Sequence, residues 1–166
     1  MHRKYEYRRR LPHYQPDHKA FFITFSTYQR WVLPGAARDV VIATVRAGNG
    51  MKFRLYGVTV MPDHVHVVLA PLCDENGTFS IMEIMQAIKG ASAHQINRML
   101  GRKGKVWEQE FFDRALRREE SIADKVEYIL GNPIASGLVD NPLDYRWTWR
   151  DTGDSLAGED ARPPSK

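Results

Sequence analysis

Cysteine is almost absent. Cys73 is the single thiol in 166 residues, which excludes an internal disulfide framework and a multi-cysteine zinc site. Long apolar runs are missing too, and no stretch approaches the roughly 20 residues needed to cross a bilayer. Met1–Arg10 is polar and basic with no hydrophobic segment behind it, unlike a secretory signal. No internal repeat of useful period is visible. What is present is ordinary for a soluble globular domain, with 43% hydrophobic and 27% charged residues. The length suits one domain with its own core. The chain therefore reads as a cytoplasmic, single-domain protein with no membrane partner.

The net charge of +4 is a modest surplus, and its distribution says more than its sum. Met1–Lys19 carries six Lys or Arg against two acids, and Lys89–Arg118 carries eight against three. Residues 151–166 carry four acids against two bases and are rich in Gly, Pro and Ser. Clustered cations suit a polyanion, and an acidic tail lowers the average without touching the clusters. Equally, surface Lys and Arg can simply be solvated. The composition divides the chain into a basic arm over 1–18, a folded domain over 19–150 and an acidic tail over 151–166 expected to be disordered.

Within the domain, Ala20–Gln29 is β-branched and aromatic and predicts a buried strand. Pro34-Gly35 opens a helix through Arg46, which Gly48-Asn49-Gly50 ends. Lys52–Met61 and His64–Ala70 predict two strands joined by the tight turn Pro62-Asp63, an antiparallel hairpin. Ser80 with Glu83 forms a capping box for a helix running to about Leu100. Val106–Arg117 is expected to contain a fourth strand, around the aromatic run Trp107 to Phe112. Ser121 caps a further helix with Ile122, Val126 and Ile129 as its apolar stripe, interrupted at Asn132-Pro133. Asp144–Trp149 is an aromatic closing segment. The order β-α-β-β-α-β-α predicts an α+β fold: a ferredoxin-like split βαβ antiparallel sheet with helices on one face.

Three features carry chemistry. His64 and His66 lie two apart on a strand, so their rings share one face, a natural pair of ligands for a divalent metal. Spacing alone is a weak sign: with six His in the chain, chance supplies about 0.2 such pairs. Rings covering a helix would show the same pattern. Asp124, Tyr128 and Asn132 are spaced four apart off the apolar stripe, presenting a phenol between a carboxylate and an amide. Tyrosine becomes a nucleophile when its phenolate is stabilised, although a helical Tyr more often packs at a core rim. Third, Lys89, Arg98, Arg102, Lys103, Lys105, Arg114, Arg117 and Arg118 are interleaved with Trp107, Phe111 and Phe112. Cations that track phosphates and aromatics that stack on bases are the means of single-strand binders. Core packing would account for about half of those aromatics.

From about Arg8 to Trp149 the chain resembles the HUH tyrosine transposases, and within them the REP-associated tyrosine transposases of bacteria. The motifs that carry the resemblance are FFITFST at Phe21–Thr27, VMPDHVHVVLAP at Val60–Pro71, Ile88-Lys89-Gly90, Val106-Trp107 with Phe111 to Arg117, YILGNPIASGLV at Tyr128–Val139 and DYRW at Asp144–Trp147. The resemblance implies that His64 and His66 are the two metal-binding histidines and that Tyr128 is the nucleophile. It also implies that Asn132, where relatives place a varying polar residue, is the third ligand. The implied activity is metal-dependent cleavage and strand transfer on single-stranded DNA with hairpin-forming repeats, through a covalent 5′-phosphotyrosine. Mg²⁺ or Mn²⁺ is the implied cofactor. Arg8, Arg9, Arg10, Lys89, Arg102, Lys103, Lys105, Arg114 and Arg117 are the candidate DNA contacts. A cytoplasmic, nucleoid-associated monomer, rather than a dimer, is expected. The alternative is a catalytically silent regulator of the same fold that binds DNA repeats. A small-molecule phosphoesterase is disfavoured, because His2, His13, His18 and His94 supply no second His-x-His pair.

Overall fold

A computed structural model of the protein describes residues 19–117 and 121–153. The basic arm, including Arg8, Arg9 and Arg10, lies outside these residues, as do Arg118 and the tail beyond 153. The chain runs β1 (Phe21–Ser26), α1 (Gly35–Ala47), β2 (Phe53–Val60), β3 (His64–Pro71), the short pair β4 (Cys73–Asp74) and β5 (Gly77–Thr78), and α2 (Ile81–Leu100). It continues through β6 (Phe112–Ala115), α3 (Ile122–Leu130), α4 (Asn132–Ala135) and β7 (Thr148–Arg150). The main sheet has the order β6-β1-β3-β2-β7, antiparallel throughout. Its first four strands have the ferredoxin-like arrangement, and the aromatic closing segment adds β7 as a fifth at the β2 edge. The expected α+β fold is the one observed.

Strand alternation divides the sheet into two faces, each with its own core. Val65, Val67 and Leu69 of β3, with Ile23 and Phe25 of β1, pack against Val41 and Val45 of α1 and Ile84, Met85 and Ile88 of α2. Val68 and Ala70 point the other way, where they meet Val126 and Ile129 of α3. Helices on one face are therefore correct for α1 and α2 but not for α3, which covers the histidine side. Local periodicity predicts that α3 is amphipathic but does not say which side of the sheet receives its stripe. Two further differences are local. The Ser80–Glu83 cap forms as expected, with the Glu83 N–H donating to Ser80 Oγ (3.0 Å), yet the buried stripe of α2 passes through Ser92. Trp107 Nε1 donates to Ser92 Oγ (2.9 Å), and both residues are buried. Trp107 thus serves the core and makes only an isolated bridge to Thr27, while the fourth strand forms further along, at Phe112–Ala115.

Candidate active site

The sheet's second face is built around His66. Thr24 of β1 and Thr59 of β2 flank it in register on either side. Thr24 Oγ1 and His66 Nδ1 share a hydrogen bond of 2.8 Å, and the imidazole stacks on Phe22 with ring centroids 5.6 Å apart. The His64 ring is 4.8 Å away, and its Nδ1 lies 2.7 Å from Asp63 Oδ1. Asp63 is held in turn by Arg30, 3.6 Å from its other oxygen. Arg30 and Gln29 both adopt positive φ, a conformation that costs non-glycine residues about 1–2 kcal/mol each. The Gln29 N–H is tied to Glu108 Oε1 (2.8 Å) and the Tyr28 N–H to the Val106 carbonyl (2.8 Å), which hold that turn against the strand ends.

Both histidines thus have Nδ1 engaged. With Nδ1–H donating, Nε2 carries the free lone pair, which is the tautomer a metal ligand needs. His66 is also kept neutral, because burial, aided by the neighbouring His64 and the Lys125 ammonium, lowers its pKa to about 4. Among the described residues no three His, Cys, Asp or Glu side chains converge. The protein donors on offer are therefore two imidazoles and, from the resemblance, the Asn132 amide. That set fits a hard divalent cation that keeps positions open for water or phosphate oxygen.

α3 brings the phenol to this face. Ser121 Oγ caps it by accepting from the Asp124 N–H (3.3 Å). A Cβ at Gly57 would fall 2.9 Å from Val126 Cγ1, so the bare glycine lets the helix lie low on β2. Pro133 has no N–H to offer the Ile129 carbonyl; Thr59 Oγ1 donates to it instead (2.9 Å), with Thr59 and Ile129 both fully buried. The residue before that anchor is Tyr128, 59% exposed. Lys125 Nζ lies 4.8 Å from the Tyr128 ring centroid and equally 4.8 Å from that of Phe22. The structure thus brings His64, His66 and the Tyr128 helix to one face. Asn132 opens α4 rather than continuing α3, and its side chain makes no hydrogen bond among the described residues. Asp124, the third member of the expected stripe, is exposed.

The basic set divides. Lys89 Nζ donates to the carbonyls of Glu108 (2.6 Å) and Gln109 (2.9 Å), and burial lowers its pKa. Arg102 donates to Asn97 Oδ1 (2.7 Å) and lies over Trp31, and Lys105 lies over Tyr28. The first two are engaged in holding the 102–109 loop. Lys103 and Lys105 are exposed beside it, Arg117 is exposed beyond β6, and Arg114 pairs in register with Phe22 on the histidine face. Asp63, Thr24, Thr59, Phe22 and Lys125 are contacts of the site that residue-type reasoning missed. Only the alternation of Phe22 and Thr24 with buried Ile23 marks any of them in the sequence.

An antiparallel sheet presenting a His-x-His pair, with an exposed tyrosine on a helix docked over the same face, defines the class. Residues 14–131 match the family described as Transposase IS200 like, which is more than half the chain, and the protein belongs to that family. The match includes His64, His66 and Tyr128 and stops one residue short of Asn132. The chain is 25% identical over 102 residues to a Haemophilus influenzae protein provisionally named a REP-associated tyrosine transposase, a match spanning 58% of each. Its fold is similar to that of a REP-associated tyrosine transposase solved bound to a REP hairpin. That similarity has a TM-score of 0.58 and 20% identity, covering 97% of this chain and 89% of the other.

Proposed function

We propose that the protein is a single-stranded DNA endonuclease and strand transferase acting on hairpin-forming repeats, with Tyr128 as nucleophile. The observation that carries this reading is the packing of α3 on the sheet face that bears the two histidines, with Ile129 fixed to the strand that neighbours His66. His64, His66 and Asn132 would hold Mg²⁺ or Mn²⁺, which when bound polarises the scissile phosphate and offsets its developing charge. The Asp63 carboxylate, an acceptor only, favours the Nδ1–H tautomer of His64, and Thr24 orients the His66 ring. Tyr128 Oη attacks phosphorus as its proton leaves to solvent. A phosphotyrosine bond forms, the P–O bond to the 3′ oxygen of the preceding nucleotide breaks, and that oxygen departs as a 3′-hydroxyl. The ester keeps the bond energy, so a 3′-hydroxyl attacking it rejoins strands without a nucleotide cofactor. The family identity, the presence of the residue types the chemistry needs and the REP hairpin held by the structural neighbour support the reading.

The test uses hairpin oligonucleotides with a randomised single-stranded flank, incubated with Mn²⁺ and run on a denaturing gel. A covalent adduct is expected from wild type and from neither Tyr128→Phe nor His64→Ala, while both variants still shift the hairpin on a native gel. Tight binding with no adduct from any hairpin would instead make the protein a repeat-binding regulator.

A further inference from the structure

The histidine face carries an aromatic edge beyond the histidine pair, and it leads outward from His66 and from Lys125, which also lies over the Tyr128 ring. Phe112 on edge strand β6 is 55% exposed. Register places it in one row with Thr24 and His66, so it faces the same side, two strand spacings (about 10 Å) from His66. Phe22 sits between them: its ring stacks on His66 and meets Phe112 edge-on with centroids 6.3 Å apart. Over Phe22 lies the Lys125 ammonium, which has no ion-pair partner among the described residues. Folding alone explains neither choice. Val126 and Ile129 form the buried stripe of α3, and an edge strand needs no exposed aromatic.

We propose that Phe112, Phe22 and Lys125 form a nucleotide subsite beside the histidine pair, in which one unstacked nucleobase lies on the Phe112 ring and its phosphate oxygen meets the Lys125 ammonium. An aromatic face accepts any base, and a cation at phosphate distance fixes the backbone, so the subsite orients a strand without reading its sequence. Phe22 contributes by backing the Phe112 ring and by holding Lys125 through its π face. The subsite rests on the proposed single-strand reading and adds where on the molecule the strand next to the cleaved bond lies.

The test is made in EDTA, so that it reads binding and not cleavage. An abasic nucleotide is walked along the flank of the tightest-bound hairpin from the randomised pool. Wild type should lose about 5- to 100-fold in affinity at one position, the worth of one stacked base. Phe112→Ala should lose the same factor on intact DNA and nothing more at that abasic position, and Phe112→Tyr should bind as wild type does. Lys125→Met should lower the salt slope of log affinity by about 0.7, with Lys125→Arg restoring it. Additive losses from Phe112→Ala and the abasic site, or an unchanged slope in Lys125→Met, would overturn the subsite even if cleavage is intact. Failure of wild type to bind any hairpin would overturn the DNA reading and the subsite together.

Discussion

His66 combines two demands at one residue. As a proposed metal ligand it must be neutral, and the ring is held so by burial, by the neighbouring His64 and by the Lys125 ammonium. The same shift has a consequence for stability. In the unfolded chain the ring protonates near its ordinary value of 6.5, whereas in the native protein it stays neutral down to about 4. Unfolding between these values takes up a proton, so stability is full above pH 6.5 and falls as the pH drops towards 4. For metal-free protein the loss should amount to about 3 kcal/mol at most. Urea titrations in EDTA at pH 7 and pH 4.5 measure it, and His66→Gln should flatten the difference. An equal difference in wild type and variant would place the acid sensitivity elsewhere. Lys89 shows another use of a cation: its ammonium closes a loop by donating to two carbonyls.

At the scale of elements, the decisive one is α3. Three contacts seat it: Val126 against bare Gly57, the Ile129 carbonyl on Thr59, and Glu127 with Arg150 of β7. Thr59→Val keeps the shape and removes the donor, leaving a buried carbonyl unpaired at a cost of about 1–3 kcal/mol. The variant should melt lower and exchange its α3 amides faster, with Thr59→Ser close to wild type. Unchanged α3 exchange in Thr59→Val would show that the hydrogen bond does not seat the helix. These contacts also mark what the sequence could not disclose. The pairing of His64 with His66 is legible because a strand has period two, and the caps at Ser80 and Ser121 are legible because capping is local. The face that α3 covers depends on Gly57 and Thr59, some 70 residues upstream of the helix residues they touch, and no local pattern records that. For the same reason the aromatic run at Trp107 reads as a strand, although Ser92 draws its indole into the core.

For the molecule as a whole, the sheet separates its tasks by face. α1 and α2 fill one side with most of the core, which leaves the other side free to present polar and aromatic groups around a single docked helix. β7 completes the frame at the far edge: Tyr145 donates to the Val60 carbonyl (2.5 Å), and Trp147 Nε1 donates to Asp39 of α1 (2.8 Å). The Asp151 side chain, just past β7, is almost fully buried against Arg54. Such a frame holds Tyr128 on one element and the histidines on another, and the proposed function requires the two to meet on DNA. The most direct measurement is mass spectrometry of the covalent adduct after digestion with protease and nuclease. A nucleotide phosphate on Tyr128 is predicted, in the peptide that contains Glu127 and Ile129. Attachment at any other residue, or none after reaction with cleaved DNA, would contradict it.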